Sequence, residues 1–191
     1  MTERAERTKR APEPLSLVQD LLNTRNLMRG YDLLGDADSA KRWLVDSSYG
    51  LPEQTIAPED LEHLRALRER LRDVLLTHNL GASTRTEEAA SELNDLVGTA
   101  ALGVAFDSSG KPLLGSSSTG TKGLVEDLLA AAIQASQTGV WRRLKACANE
   151  ECRWVFYDAS KNRSGSWCVM EICGSRAKMR SYRSRHGSGT T

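Results

Sequence analysis

The sequence has no apolar run that approaches the roughly 20 residues needed to span a bilayer, and no apolar segment follows its first basic residues. It contains only three histidines, which are isolated from one another, and it shows neither a Ser/His/Asp arrangement nor a phosphate-binding glycine loop. Hydrophobic residues at 39% and charged residues at 27% are typical of a globular protein. We therefore expect a cytoplasmic protein that does not enter a membrane and is not an enzyme.

Cysteine is absent from the first 146 residues. The four cysteines follow the pattern C-x4-C-x15-C-x4-C, at Cys147, Cys152, Cys168 and Cys173. Paired knuckles of this kind suit a tetrahedral Zn²⁺, because each short loop brings two sulfurs to one side of the metal at roughly 2.3 Å. Four thiolates also close the coordination shell and leave no position for water. The pattern predicts one structural zinc ion per chain.

Three other interpretations of the cysteines are less favourable than zinc. Two disulfides would need an oxidising compartment, to which nothing in the sequence directs the chain. Iron–sulfur clusters usually have tighter cysteine spacings. Four unrelated buried thiols would not be expected to cluster in mirrored pairs. Zinc remains the favoured interpretation.

The overall net charge of +1 conceals a strong asymmetry. Residues 141–191 contain eleven basic and four acidic residues, a net charge of +7. Residues 1–140 contain fifteen basic and twenty-one acidic residues, a net charge of −6. A basic cysteine module is thus joined to an acidic unit, which indicates a polyanionic partner for the module alone.

Periodicity and breaker residues predict a mostly α-helical fold with a small β-hairpin, of the α+β class. The apolar spacing predicts helices over about 15–28, near 38–44, from Pro58 to about 79, over about 86–100 and over about 122–137, with a hairpin over 102–114. We expect four regions: a disordered leader over 1–14, a helical domain over 15–138, a zinc module over 141–186 and a disordered tail over 187–191.

The zinc module has its own predicted elements. The run from Arg153 to Tyr157 is typical of a strand, and Trp167 is expected on a second strand beside it. Trp154, Phe156 and Tyr157 favour the core of the module, although stacking on nucleic-acid bases is an alternative. Because so few residues build only a small core, metal binding is expected to be coupled to folding.

A basic helix is predicted after the last cysteine, since residues 176–185 lack Gly and Pro. Its cationic residues are Arg176, Lys178, Arg180, Arg183 and Arg185. Three of them share one face at i, i+4 and i+7, and Met179 and Tyr182 are expected to face the body of the module. Such a helix could contact phosphates or guanine edges in the major groove of double-stranded DNA. The alternative is a solvated basic face.

A polar loop over residues 158–164 precedes the third cysteine. Its Lys161 and Arg163 are candidates for further phosphate contacts. A plain hairpin loop explains the same residues equally well.

Five short sequences in the chain are typical of a known family: Asp20-Leu21-Leu22-Asn23-Thr24, Trp43-Leu44, Leu67-Arg68-Glu69-Arg70-Leu71, Leu93-Asn94, and Trp167-Cys168-x4-Cys173-Gly174-Ser175-Arg176-Ala177-Lys178. Through them the chain resembles the bacterial CGNR zinc-finger family, whose members join a helical ABATE domain to a C-terminal four-Cys finger. Members are generally described as candidate stress-induced transcriptional regulators. Two departures are visible: Ser175 stands where the motif has Asn, and the arginine-rich stretch before Trp167 is thinned.

The role of the acidic helical domain is open at this level. It is expected to bind a small effector, to form a homodimer or to contact another protein. Asn23, Thr24, Trp43 and Asn94 are the candidate residues of an effector pocket, although helix caps and core contacts explain each of them without a ligand. Two functions follow: a DNA-binding transcriptional regulator, or a zinc-stabilised protein-interaction module that does not bind nucleic acid.

Overall fold

The computed structural model describes residues 8–46, 56–81 and 84–186. The helices are α1 (Leu15–Leu22), α2 (Ala37–Asp46), α3 (Pro58–Leu80), α4 (Thr84–Val97), α5 (Gly120–Gln137) and α6 (Ser175–His186). The strands form three antiparallel pairs: β1 (Arg25–Asn26) with β2 (Tyr31–Asp32), β3 (Leu102–Phe106) with β4 (Pro112–Ser116), and β5 (Leu144–Ala146) with β6 (Val155–Tyr157). The α+β class predicted from the sequence is confirmed.

Helix α3 is the central element of the fold. Pro58 occupies its first turn, where the fixed φ angle of proline suits a helix start. Glu59 and Asp60 follow it, and their negative charges interact favourably with the exposed N–H groups of that turn. The helix ends before Gly81, whose φ of 83° is a left-handed conformation that glycine adopts without strain. The apolar side of α3 is fully buried at Leu64, Leu67 and Leu75.

Helix α1 is shorter than predicted, because it ends at Leu22 and not near residue 28. Its apolar residues Val18, Leu21 and Leu22 are fully buried. The chain then leaves the helix at Asn23, whose side chain bonds to the backbone of β6 instead of continuing the helical pattern. The β1–β2 hairpin, over residues 25–32, occupies the end of the predicted helix.

A buried arginine fastens the β1–β2 hairpin to α3. Arg68, 2% exposed, donates to both carboxylate oxygens of Asp32, at 2.6 and 2.7 Å. It also donates to the hydroxyl of Thr24 at 3.0 Å. Bidentate arginine–carboxylate geometry is the strong, directional form of an ion pair, so this contact fixes the hairpin against the helix.

Residues 8–14 pack against the domain, which corrects the prediction of a disordered leader for this part of it. Ala11 is buried, and its N–H donates to the side chain of Gln19 at 2.7 Å. Arg10 pairs with Asp20 at 2.8 Å. The carbonyl of Lys9 accepts a hydrogen bond from the N–H of Tyr157 in β6. Residues 1–7 and the tail at 187–191 lie outside the described residues.

One hydrophobic core extends through both parts of the chain. Leucines of α1, α3 and α5 pack together with Leu144, Ala146 and Val155 of the β5–β6 pair. The boundary expected between residues 138 and 141 therefore divides the sequence but not the core. Among residues 8–46, 56–81 and 84–186, the helices include none with the length and hydropathy of a membrane span.

The β3–β4 hairpin lies at the edge of the molecule and is held there by Glu126 of α5. This carboxylate is fully buried and accepts hydrogen bonds from the N–H groups of Ala101, Ser117 and Ser118, at 3.1, 2.9 and 3.0 Å, and from the hydroxyl of Ser118. Burial opposes ionisation, but these hydrogen bonds hold the pKa of Glu126 below its usual range. The ionised carboxylate therefore stabilises the folded state.

Glu126→Gln is expected to lower the free energy of unfolding at pH 7 and to have a smaller effect at acidic pH. Because the folded-state pKa lies below the unfolded value, the contribution of Glu126 is present above the unfolded pKa and is lost as the pH falls through the folded pKa. Urea unfolding at pH 7 and near pH 3 measures the difference. Glu88→Gln, which changes an exposed carboxylate on α4, is the control. An equal effect of both variants at pH 7 would contradict the prediction.

Candidate metal centre and basic helix

The four cysteines converge on one buried point. All four sulfurs lie within 4.8 Å of one another. The Sγ atoms of Cys152 and Cys168 are 3.6 Å apart, and those of Cys168 and Cys173 are 3.7 Å apart. A tetrahedral zinc ion with bonds of about 2.3 Å separates its sulfurs by about 3.8 Å. Disulfide bonding would need a separation of about 2.05 Å, so the geometry fits one metal ion and not two disulfides.

Each cysteine pair is held by a tight turn. In the first, the N–H groups of Cys152 and Arg153 both donate to the carbonyl of Asn149, at 2.8 and 2.9 Å. Arg153 has a φ of 47°, a left-handed conformation that turns the chain away immediately after the ligand. In the second, the N–H of Cys173 donates to the carbonyl of Val169 at 2.9 Å. A β-carbon on Gly174 would lie 3.2 Å from Trp167, so the turn leaves little room there.

The pKa values of three of the thiols shift in different directions because their sulfurs lie close together. Side-chain hydrogen bonds from Cys152 and Cys168 lower the pKa of Cys147. The hydrogen bonds shared with Cys147 raise the pKa of both Cys152 and Cys168. One thiolate is therefore favoured, and each further negative charge is opposed unless a cation neutralises it. A divalent zinc ion supplies this charge and favours the deprotonated ligands.

Apolar side chains cover the metal centre. Trp154 and Phe156 are buried around the cysteines at 4% and 5% exposure, with Met28 of the helical domain packed on the same cluster. This confirms the core interpretation for these two aromatic residues, because buried rings are not available for stacking on bases. Tyr157 packs on the main core instead.

The predicted second strand at Trp167 is wrong. The partner of β6 is β5, with Leu144 opposite Tyr157 and Ala146 opposite Val155. The β5 segment precedes the first cysteine and is apolar at both ends. It therefore pairs with β6 while Leu144 and Ala146 pack in the main core. The chain near Trp167 is attached instead through the carbonyl of Ser166, which accepts hydrogen bonds from the N–H of Ala148 and from the side-chain amide of Asn79.

A buried ion pair shapes the loop that carries Lys161 and Arg163. Lys145 and Asp158 are 3% and 4% exposed, and their charged atoms are 2.8 Å apart. The ammonium group also donates to the carbonyls of Arg163 and Gly165, at 2.6 and 3.0 Å. Burial opposes ionisation of Asp158, but hydrogen bonds from Lys145 and the loop lower its pKa to about 2. The loop is therefore fixed from within, while the side chains of Lys161 and Arg163 are exposed.

Side chains of the helical domain form hydrogen bonds with backbone N–H and C=O groups of the metal module. Asn23 pairs with both backbone groups of Val155, at 2.9 Å each, as a neighbouring strand would. Asn79 donates to the carbonyl of Ala146 at 2.6 Å. Burial lowers the pKa of His78, whose neutral ring lies 2.7 Å from the carbonyl of Leu144 and donates to it through Nδ1.

A second set of contacts lies at the residue that follows Cys152. Arg72 is fully buried and donates to the carbonyls of Arg153, at 3.1 Å, and of Leu22. The guanidinium of Arg153 in turn pairs with Asp73. Burial lowers the pKa of Arg72 to about 10, which leaves it charged at neutral pH. No local pattern in the sequence predicts this interface, because Arg72, His78 and Asn79 bond to residues at least 66 positions away.

Helix α6 contains no acidic residue and begins directly after the last cysteine turn. Arg176, Lys178, Arg180 and Arg183 are all exposed. Met179 and Tyr182 are 53% and 55% exposed, which corrects the prediction that they face the body of the module. The side chain of Arg185 lies outside the described residues.

Two arginines of α6 are tied to the metal centre. Arg180 donates to the side chain of Asn149 at 3.1 Å, and the amide of Asn149 lies 3.9 Å from the sulfur of Cys173. Arg176 places a guanidinium nitrogen 4.0 Å from the sulfur of Met28. The helix is therefore oriented by contacts at its first two turns.

Three of the four candidate effector residues have separate partners within the protein. Asn23 bonds to Val155, and the Thr24 hydroxyl bonds to the carbonyl of Leu21 and to Arg68. Trp43 packs against the main core, whereas Asn94 is exposed on α4. Asn23 thus contributes to the interface with the metal module, Thr24 to the anchor of the β1–β2 hairpin, and Trp43 to the main core.

Comparison with known families gives two matches. The model of the CGNR zinc finger matches residues 143–186. The model of ABATE, described as "Putative stress-induced transcription regulator", matches residues 15–139. A search of curated proteins finds no match.

Proposed function

The chain belongs to the ABATE family and carries a CGNR zinc finger, and from this premise we propose that it is a transcriptional regulator whose finger binds double-stranded DNA. The zinc ion has a structural role in this proposal. The helical domain carries the regulatory role, by sensing an effector or by dimerising.

The observation that carries the proposal is the charge and exposure of α6. Its described basic residues are exposed, with Arg176, Arg180 and Arg183 on one face of the helix, and no acidic residue lies within it. An isolated helix of 12 residues is marginal in water, so packing or a partner normally stabilises it. A duplex, with one phosphate charge per about 1.7 Å of its axis, is the partner that such a helix fits by charge.

The connection of α6 to the metal centre supports the same function. Because Arg180 and Arg176 contact Asn149 and Met28, the helix is held in one orientation before any partner binds. Arg183, one turn further along, contributes to the same exposed basic surface. Lys161 and Arg163 add positive charge on a loop of fixed conformation.

A salt titration tests the proposal. Fluorescence anisotropy of the zinc-loaded full chain on duplex DNA should give a linear decrease of log K with log salt concentration, corresponding to several phosphates. Arg183→Ala should reduce the slope by about 0.9, the value for one phosphate contact. Lys111→Ala, an exposed cation on the β3–β4 turn, is the matched control and should leave the slope unchanged.

Two outcomes would contradict DNA binding. One is an absence of binding at low salt. The other is binding with a slope that Arg183→Ala and Lys111→Ala leave equally unchanged. Binding of α6 to an acidic protein surface without DNA affinity would support the alternative of a zinc-stabilised interaction module.

A further inference from the structure

We propose that the turn at residues 26–30 of the helical domain is part of the nucleic-acid surface, with Arg29 as its contact residue. This inference rests on the proposed function, since it extends the surface formed by α6. It assigns a direct binding role to the helical domain, whose net charge is negative and whose expected role is regulatory.

The turn has a fixed conformation. The N–H of Gly30 donates to the carbonyl of Asn26 at 2.9 Å, and the N–H of Arg29 donates to the Asn26 side chain at 3.1 Å. Asn26 is 2% exposed, and Gly30 has the positive φ of 67° that closes the turn. Arg29 is therefore held at an exposed tip whose backbone is anchored in the domain.

The turn lies against the start of α6. Met28 is partly buried on the cluster that surrounds the cysteines, and the guanidinium of Arg176 lies 4.0 Å from its sulfur. Arg29 is the next residue, about 3.8 Å along the backbone. Arg29 and Arg176 are both exposed and both adjoin Met28, Arg29 through the chain and Arg176 through its side chain.

A polyanion is the partner that this juxtaposition fits. Closely spaced phosphates can pair with exposed cationic side chains that are anchored at adjoining positions, and their binding releases counterions. Phosphate contacts position a protein on DNA without reading its sequence. Arg29 should therefore add affinity equally on different duplexes and should fix how the finger lies on them.

The experiment compares Arg29→Ala, Arg29→Lys and Lys111→Ala in the zinc-loaded full chain, by anisotropy at several salt concentrations on two unrelated duplexes. Arg29→Ala is expected to lower the log–log slope by about 0.9 on both duplexes. Arg29→Lys should retain the slope, because the positive charge remains. Native mass spectrometry and the melting temperature should match those of the wild type for all three variants, since both positions are exposed.

The outcomes separate this inference from the proposed function. If the wild type binds and Arg183→Ala lowers the slope while Arg29→Ala behaves like Lys111→Ala, the role of Arg29 is refuted and DNA binding stands. If the wild type shows no salt-dependent binding, both are refuted. Loss of slope in Arg29→Ala on only one duplex would also refute a phosphate contact, because that contact is independent of sequence.

Discussion

Removal of zinc is expected to lower the unfolding temperature of the whole chain, including the helices that lie far from the cysteines in sequence. Structural zinc sites contribute about 10–16 kcal/mol to the folding of isolated finger peptides. A whole domain is stable by only about 5–15 kcal/mol. Because Leu144, Ala146 and Val155 belong to the main core, loss of the finger removes part of that core.

The hydrogen bonds across the interface give the same expectation. Asn23 and Arg72 satisfy backbone groups of β6 and of Arg153, and they would lose these partners if the finger unfolded. A buried polar group left without a partner costs about 1–3 kcal/mol. The helical domain should therefore be destabilised even though none of its residues binds the metal.

Circular dichroism measures the effect as a melting curve of the helical signal, with and without a zinc chelator. Cys152→Ser should reproduce the chelated curve and should lose the zinc seen by native mass spectrometry. Ser164→Ala, in the exposed loop of the same module, is the control and should retain both. An unchanged helical melting temperature after complete zinc removal would show that the two parts fold independently.

The local elements were largely predictable because their signals are local. Pro58 with two following carboxylates marks a helix start, and α3 begins there. The alternation of apolar and turn residues around Gly110 predicts a hairpin, and β3 pairs with β4. The four cysteines, spaced in two matched pairs, predicted the metal site that the sulfur positions confirm. In each case the deciding residues are close together in the sequence.

The features that the sequence did not predict depend on contacts between distant residues. Asn23 and Val155 are separated by 132 positions. No local pattern shows that an asparagine side chain will bond to the backbone of β6 in the place of a neighbouring strand. The partner of β6 was misplaced because a strand can pair with any apolar segment that packing brings beside it. Met179 and Tyr182 were expected inside, but α6 leaves the module after its first turns, and both side chains are more than half exposed.

Lys145→Met is expected to destabilise the protein by about 3–5 kcal/mol, the usual effect of removing one partner of a buried ion pair. Lys145 and Asp158 are almost completely buried, and the substitution leaves the carboxylate without its cation. It also removes the donor to the carbonyls of Arg163 and Gly165. A methionine has a similar length, so the loss of charge and donors dominates over the change in volume.

The ionised Asp158 gives this prediction a dependence on pH that a packing defect would not have. Its pKa of about 2 lies below the ordinary value of 3.8, so its ion pair stabilises the fold above pH 3.8 and is lost as the pH falls towards 2. The difference between wild type and Lys145→Met in urea unfolding should therefore be large at pH 7 and decrease below pH 3.8. Lys178→Met, at an exposed position on α6, should change stability by less than about 0.5 kcal/mol. A difference that stays constant from pH 7 to pH 2.5 would indicate that Lys145 contributes through its methylene chain and not through its charge.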